Sequence, residues 1–229
     1  MKKKVLILGI GSAQLDAILR CKEHDHEFIL YDHVQYTERD WRNRNKIKTH
    51  QGMMWLTIPV RNNFPQKIKE TVVSYPGWNR KHWKSIVRNY SRTKYFHNYR
   101  ELFEELYLGQ NEVSLGQINH RFLTAICKIL GINTKISWSM DYHLIEGDKT
   151  EREVDLCKQA GATEFICGPR AKAYINEDLF KNEGMVLRYM DYSEYPEYRQ
   201  LFPPFEHRVS IIDLIFNEGP DSTKFMKGF

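Results

Sequence analysis

The chain has 229 residues, of which 41% are hydrophobic and 13% aromatic, and its formal net charge is +5. This composition excludes wholesale disorder, and a mean hydropathy of −0.59 without any long apolar run excludes a transmembrane helix. Three lysines at positions 2–4 precede an apolar stretch that is too short for a secretory signal, so we expect a cytoplasmic protein. The modest charge permits an acidic small molecule, a nucleotide or RNA as ligand.

The first third of the chain predicts buried strands separated by a helix. Residues 4–8 form an apolar run that predicts a strand, and residues 27–31 predict a second strand. Helical spacing across 15–22 predicts a helix between them, an order typical of a parallel strand pair. Residues 55–60 and 71–75 predict a third and a possible fourth strand.

The rest of the chain alternates helices and strands. Helix-period patterns at 82–90, 95–108 and 114–131 predict a helical side layer covering about 78–132. Further strands are predicted at 135–139, 164–167 and 186–190, a helix at 150–160, and a closing helix after Ser210. We therefore predict one α/β domain over residues 1–229, layered, with a mainly parallel sheet flanked by helices.

A dense cluster of polar, cationic and aromatic residues follows the second predicted strand. Between positions 38 and 48, two acids stand against five cations, Arg39, Arg42, Arg44, Lys46 and Lys48. Guanidinium groups suit phosphate or carboxylate, and ligands of parallel sheets gather at the carboxyl ends of strands. The pattern favours an anion-binding site, although a solvated, salt-bridged loop has the same composition.

Two glycine-containing turns are candidate phosphate sites. Gly9 and Gly11 follow a predicted strand, and Asp32 lies at the spacing of a ribose-binding acid. Gln14 stands where the third glycine of the dinucleotide fingerprint belongs, so we predict a plain tight turn. Gly168, with cations at 170 and 172, is either an anion site or an ordinary turn into a helix.

The C-terminal region offers aromatic rings and a candidate base. Four tyrosines lie within 189–198, where they could contact a sugar or base ring or simply pack on one another. His207 stands beside Glu206 just before a predicted helix, and its native pKa suits proton transfer near neutrality. A capping or solvated histidine is the alternative. Four widely spaced cysteines (Cys21, Cys127, Cys157 and Cys167) predict reduced, buried thiols and no metal site.

Taken together, these segments resemble the WbqC-like family, which is found in bacterial surface-polysaccharide gene clusters. The resemblance runs from about residue 27 to residue 220. It rests on Asp32-His33-Val34-Gln35-Tyr36, Asn43-Arg44-Asn45-Lys46-Ile47-Lys48, Trp55-Leu56-Thr57-Ile58-Pro59-Val60, Lys149-Thr150-Glu151-Arg152, Gly168-Pro169, Tyr195-Pro196-Glu197-Tyr198, Glu206-His207 and Ser210-Ile211-Ile212-Asp213.

The sequence departs from the family pattern at two places. Family members usually begin with a strand that enters a Gln-Pro-x-Tyr-x-Pro-Trp-x-Gly-Tyr stretch, whereas residues 9–18 here lack its prolines and aromatic rings. Family members usually have a second acid directly after the position of Asp32, whereas this sequence has His33 there. A paired-carboxylate role at this strand end is therefore not expected.

The resemblance implies attachment of glycine, or a related aminoacyl group, to the amine of a nucleotide-linked amino sugar for O-antigen, a component of lipopolysaccharide. We hypothesise that Arg44 and Lys46 hold the diphosphate, with Arg39 and Arg42 as further candidates, and that His207 or Asp32 accepts the amine proton. No cofactor is indicated, and the form of the activated acyl donor is open. The candidate substrate-binding residues are Gln35, Tyr36, Trp41, Asn43, Arg44, Lys46, Trp55, Gly168, Tyr195, Tyr198 and Glu206.

Two other classes of function remain open on the sequence. A non-catalytic module could bind a nucleotide sugar or glycan within a biosynthetic assembly. RNA binding through residues 39–48 is a third, less favoured possibility. The transferase hypothesis requires the arginine-rich segment and the tyrosine–histidine segment to line a common cavity.

Overall fold

We describe the protein from a computed structural model, which defines residues 3–8, 26–61, 63, 65–109 and 111–226. The strands are β1 (Lys4–Leu8), β2 (Glu27–Leu30), β3 (Arg44–Thr49), β4 (Gly52–Thr57), β5 (Lys135–Trp138), β6 (Glu164–Cys167) and β7 (Val186–Tyr189). The helices are α1 (Trp78–Tyr90), α2 (Phe96–Leu108), α3 (Leu115–Ile129), α4 (Lys149–Gln159), α5 (Glu177–Asn182) and α6 (Ile211–Glu218). No helix in this part of the chain is long and apolar enough to cross a membrane.

Five strands form one parallel sheet in the order β5-β2-β1-β6-β7. The chain builds outward from β1 in one direction and then crosses to β6 on its other side. The strand order thus reverses between β1 and β6, the position where α/β sheets usually bind ligands. Residues 9–25 follow β1, and the Gly9–Gly11 turn and the first helix predicted there lie outside the described residues.

Alternate strand residues feed two cores, one on each face of the sheet. In β2, Phe28 and Leu30 join the larger core, which also contains side chains of α1, α2, α3 and α6. Ile29 and the following Tyr31 join the smaller core, which α4 and α5 complete with Leu156 and Phe180. Because side chains of a strand alternate between faces, helices on both faces are needed to bury them. The layered, mainly parallel α/β fold is therefore confirmed.

The helix ends follow their local sequence signals. Ser210 precedes α6, and its hydroxyl accepts a hydrogen bond from the backbone N–H of Ile212 at 3.4 Å. Asp148 and Glu151 cap α4 reciprocally, each carboxylate accepting the other residue's backbone N–H. Gly161, just after α4, has a φ of +68°, a left-handed conformation that favours glycine.

Three stretches differ from the sequence prediction. No strand was predicted at Arg44–Thr49, which forms β3 and pairs antiparallel with β4 in a separate two-stranded sheet, and the strand predicted at 55–60 is β4, at Gly52–Thr57. The prediction failed because charged residues usually disfavour strands, whereas here the ladder to β4 satisfies the backbone. Residues 71–75 form no strand and make only isolated bridges, from Val73 to Val60 and from Val72 to Ser114.

Three of the four cysteines are described, and all three are free and buried. Burial raises the pKa of the Cys127 and Cys167 thiols to about 12, and it also raises that of Cys157. These thiols are therefore protonated and unreactive at neutral pH, as structural cysteines are. Cys21 lies outside the described residues.

Glu27 is a fully buried carboxylate at the start of β2. It accepts hydrogen bonds from the Ser137 hydroxyl at 2.6 Å, the Lys135 ammonium at 2.9 Å and the Lys3 ammonium at 3.0 Å, and also from the Tyr142 hydroxyl. Burial alone would raise its pKa, but the donors prevail and lower it to about 2. Glu27 thus stabilises the fold only while it is ionised.

We expect Glu27→Gln to lower the free energy of unfolding at pH 7 by about 1–2 kcal/mol, discounted because the paired lysines are partly solvated. A depressed pKa contributes stability above the unfolded value of 4.5, and this contribution disappears as the pH falls through about 2. Urea denaturation from pH 7 to pH 2 measures it. The surface variant Glu183→Gln is the control, and a wild-type advantage that stays constant down to pH 2 would contradict the prediction.

Candidate functional site

The β3–β4 hairpin presents two cations over an indole ring. The guanidinium carbon of Arg44 lies 4.3 Å from the ring centroid of Trp55, and the ammonium of Lys46 lies 4.7 Å from it. Trp41 packs against the same ring, with centroids 5.2 Å apart. Trp41 and Trp55 are 38% and 40% exposed, so this cationic and aromatic surface faces solvent. Cation–π contacts hold the two cations in place while leaving N–H donors for an anion.

A cavity of about 320 Å³, the outer cavity, lies between the hairpin and the C-terminal segment. Trp41 and Asn45 line it on the hairpin side. The C-terminal segment contributes three tyrosines, Tyr192, Tyr195 and Tyr198, and the candidate base His207. The start of α6 also lines this cavity. Trp41 and Asn45 of the arginine-rich segment therefore line a common cavity with the tyrosine–histidine segment, whereas the five cations of residues 39–48 do not line it.

A second cavity of about 130 Å³, the inner cavity, shares Trp41, Asn45, Ser210 and Ile211 with the outer cavity. It reaches toward the larger core, where its lining is mainly aromatic and aliphatic. Arg42, Asn43 and Arg44 add polar atoms, and His82 lies on the α1 side; Trp78, Tyr107, Phe122 and Leu123 are representative of the apolar lining. The two cavities thus adjoin each other through these shared lining residues.

The carboxylate of Asp213, in α6, holds the walls of the outer cavity together. Its two oxygens accept hydrogen bonds from the hydroxyls of Tyr90 and Tyr198, each at 2.8 Å. The Tyr90 oxygen in turn accepts the backbone N–H of Lys48, in β3, at 2.9 Å. Burial raises the pKa of Asp213, and both tyrosine donors oppose that rise. Asp213 therefore connects the hairpin to the tyrosine segment through α1.

Two further contacts connect the C-terminal segment to the hairpin. The backbone N–H of Ser210 donates to the Lys46 carbonyl at 2.7 Å. The ammonium of Lys48 donates to the carbonyl of Pro204. Because these bonds join residues more than 150 positions apart, the cavity walls depend on the tertiary fold and not on either segment alone.

His207 lines the outer cavity but is not paired with its neighbouring carboxylate. The exposed imidazole packs edge-on against Phe205, with centroids 4.6 Å apart. Glu206 instead accepts the Arg208 backbone N–H at 2.9 Å and its guanidinium at 3.1 Å. The backbone bond from Arg208 is the main reason that the pKa of Glu206 is lowered. The Glu206 carboxylate therefore stabilises the local turn and does not orient the imidazole of His207.

Asp32, the other candidate base, lies at the carboxyl end of β2. Its carboxylate accepts the hydroxyl hydrogen of Ser139 at 2.7 Å and lies 3.2 Å from Nδ1 of His33. Burial lowers the pKa of His33, and Asp32 opposes this effect. Asp32 lines neither cavity, so the structure does not bring it together with His207.

The remaining candidate residues divide into those near the cavities and those elsewhere. Asn43 and Arg44 line the inner cavity, while Lys46 and Trp55 form the adjoining surface. Gln35 is exposed, and Tyr36 is buried in the larger core. Gly168, after β6, lines neither cavity, and the short 3₁₀ helix that follows it, Pro169–Ala173, exposes its two cations to solvent.

Sequence reasoning missed Asn45, His82 and Asn119, which line the cavities from β3, α1 and α3. The local sequence around a single polar residue in a helix or strand does not indicate which groups its side chain will contact. Asp213 had a detectable signal, because it is the one acid within the apolar run Ile211-Ile212-Asp213-Leu214-Ile215-Phe216, and such an acid must be paired if it is buried. Among the described residues, no group of histidines, cysteines and acids could hold a metal ion.

The parallel sheet and the helices on both of its faces define a layered α/β protein. The WbqC-like protein family matches residues 18–225, so the chain belongs to that family. The chain is also 43% identical over 203 residues to an uncharacterized protein, Rv1507c, of Mycobacterium tuberculosis, and the match covers 88% of this chain and 87% of that protein. No solved structure matches the chain.

Proposed function

We propose that the protein is an N-acyltransferase that attaches glycine or a related acyl group to the amine of a nucleotide-linked amino sugar in surface-polysaccharide synthesis. The single observation that supports this function most is the outer cavity, in which a candidate base and aromatic rings lie beside a cationic surface. Membership of the WbqC-like family is consistent with a role connected with sugars. The reaction would take place in the cytoplasm, where nucleotide sugars are made.

The binding roles follow from the chemistry of the side chains. Arg44 and Lys46 would pair with the diphosphate, since both are held over Trp55 with donors to spare. Tyr195 and Tyr198 would contact the sugar or the base through their rings. The hydroxyl of Tyr198 is already engaged by Asp213, so its ring face is the part available to a ligand.

The transfer step needs a base near the attacking amine. The neutral amine attacks the acyl carbonyl, a C–N bond forms, and the bond to the leaving group breaks with its electron pair going to that group. His207 would accept the proton that the nitrogen loses. We assign this role to His207 rather than to Asp32 because only His207 lines the outer cavity. The activated donor would be an adenylate, a thioester or an aminoacyl-tRNA.

The decisive experiment incubates purified protein with amino-sugar nucleotides and each donor class carrying glycine, and detects the N-glycyl product by mass. We expect His207→Gln to lower kcat by about 10²–10⁴-fold with little change in KM, as loss of a general base does. His143→Gln, an exposed histidine that lines neither cavity, is the control. Absence of a product with every donor would defeat the proposal.

Binding of uridine diphosphate tests the phosphate site separately. We expect Arg44→Ala and Lys46→Ala each to weaken binding by about tenfold or more, because each removes a charge-assisted hydrogen bond. Lys84→Ala, an exposed cation on α1, controls for net charge. Calorimetry at low and moderate salt measures the effect, and unchanged affinity in both hairpin variants would place the phosphates elsewhere.

A non-catalytic nucleotide-sugar module is the second candidate, and one observation favours it. The His207 ring is exposed, and in the described part of the chain no hydrogen bond orients it. Tight nucleotide-sugar binding that is unaffected by His207→Ala, without turnover, would support the module. A steeply salt-dependent affinity for RNA would instead support binding through residues 39–48.

A further inference from the structure

The size of the inner cavity indicates what enters it. Its volume is about 130 Å³. An apolar protein cavity of about 150 Å³ is large enough to hold benzene, so this one accommodates an apolar group of roughly five or six non-hydrogen atoms. The lone methylene of a glycyl group would leave most of this space unfilled, and unfilled apolar space forgoes packing interactions.

Asn43 supplies one unused hydrogen-bond acceptor to this cavity. Its residue is 7% exposed, and its amide nitrogen donates to the Ile58 carbonyl at 3.0 Å. Because a carbonyl can only accept, this bond fixes the orientation of the amide. The side-chain oxygen of Asn43 then finds no hydrogen-bond partner among the residues that the structure defines. A ligand donor at this oxygen would relieve a buried, unsatisfied acceptor.

Two arginines supply unused donors to the same cavity. The Nε–H groups of Arg42 and Arg44 are buried and lack acceptors within the described ranges. One terminal nitrogen of each arginine is engaged elsewhere, that of Arg42 by Asp40 and that of Arg44 by the Arg39 carbonyl, so the second terminal nitrogen of Arg44 is left for the proposed diphosphate contact. The free Nε–H donors suit a carbonyl or carboxylate oxygen.

The charge of the residues that line the inner cavity restricts which ligand group can donate a hydrogen bond to Asn43. Burial lowers the pKa of His82 to about 4, so its ring, 3.0 Å from the Thr57 carbonyl, is neutral at pH 7. Arg42 and Arg44 are therefore the charged groups that line this cavity, and both are positive. An ammonium group such as that of glycine would be repelled, whereas a neutral hydroxyl would not.

We propose that the inner cavity binds a short-chain hydroxyacyl group. Its alkyl part packs among Trp78, Phe122 and Leu123, its hydroxyl donates to Asn43, and its carbonyl oxygen accepts from the arginine Nε–H groups. This proposal rests on the proposed N-acyl transfer, because it assumes that the acyl group bound in the inner cavity is the group that is transferred. It specifies the acyl class as neutral and hydroxylated.

The test compares two acids that differ by one group, 3-hydroxy-3-methylbutyrate and 3,3-dimethylbutyrate, on the full chain. Calorimetry or tryptophan fluorescence reports binding, since Trp41 and Trp78 line the cavity. We expect the wild type to bind the hydroxy acid about three- to tenfold more tightly, the value of one hydrogen bond. Equal affinity, or glycine binding as tightly as the hydroxy acid, would overturn the proposal.

Two variants test whether the inner cavity is the source of the preference for the hydroxy acid. Asn43→Leu should remove the preference for the hydroxyl while keeping affinity for 3,3-dimethylbutyrate. Leu123→Phe, which fills the cavity, should weaken both acids. The wild-type comparison needs no variant, so the test survives if either substitution impairs folding. A hydroxyl preference retained in a folded Asn43→Leu protein would assign the contact to another group and reject the proposal.

Measurement of acyl-transfer turnover distinguishes failure of this inference from failure of the proposed function. With an amino-sugar nucleotide, the 3-hydroxy-3-methylbutyryl thioester should give an amide faster than the glycyl thioester does. If only the glycyl thioester reacts, the hydroxyacyl inference is rejected while N-acyl transfer stands. If the hydroxy acid shows the expected preference but no donor reacts, N-acyl transfer is rejected and the binding specificity of the cavity stands.

Discussion

Replacement of Asp213 by alanine is expected to lower the free energy of unfolding by about 4 kcal/mol, because it leaves two tyrosine hydroxyls without an acceptor at about 1–3 kcal/mol each. Asp213 and Tyr90 are each 1% exposed, so water cannot readily replace the lost bond to Tyr90. The same change should weaken nucleotide-sugar binding, since Tyr198 lines the outer cavity. Urea denaturation measures the first effect and calorimetry the second.

Matched variants separate the Asp213 network from a general loss of charge. Asp221→Ala removes a surface acid that pairs with Lys224, and it should leave stability close to that of the wild type. Tyr198→Phe should cost about 1 kcal/mol, since it removes one of the two hydrogen bonds. A cost below about 1 kcal/mol for Asp213→Ala would show that the carboxylate does not stabilise the cavity walls.

Glu153→Gln is expected to remove a pH-dependent loss of stability of about 3 kcal/mol between pH 4 and pH 9. Burial raises the pKa of Glu153, which is 4% exposed, from 4.5 to about 7, although Lys149, Arg152 and Tyr174 oppose the rise. Because the folded pKa is the higher one, the carboxyl stabilises the fold fully below pH 4.5. That contribution is lost as the pH rises through about 7.

The wild type should therefore lose stability above pH 5 relative to Glu153→Gln, and the two proteins should converge at low pH. Chemical denaturation at pH steps from 4 to 9 measures this difference. The exposed Glu146→Gln is the control for charge. A difference between wild type and Glu153→Gln that does not change with pH would contradict the prediction, since linkage requires the slope to follow the titration.

Glu153 lies in a cluster with Lys149 and Tyr174. The Lys149 ammonium lies 3.3 Å from the ring centroid of Tyr174, and burial lowers the pKa of that lysine. One side-chain oxygen of Glu153 has no hydrogen-bond partner in the described segments. The cluster therefore retains a buried carboxyl whose charge changes near neutral pH, in the first turns of α4.

Much of the fold could be read from local patterns. The strand Glu164–Cys167 was predicted with its observed bounds, because a short apolar run, Phe165-Ile166-Cys167, that ends at a glycine is typical of a buried strand. The helices α2, α3 and α4 were predicted to within one or two residues, because apolar spacing and flanking glycines act locally. The antiparallel β3 was missed, since its partner strand rather than its own sequence makes it a strand.

The sequence by itself determined the layered α/β class, the family and the segments from which the cavity walls come. Only the tertiary structure decided which residues share a site: it placed His207 and Trp41 around one cavity, and it placed Asp32 in contact with Ser139 instead. The physical reason is that strand order and long-range hydrogen bonds, such as that from Ser210 to Lys46, bring distant segments together. Local composition does not encode these contacts, because they depend on the packing of the whole sheet.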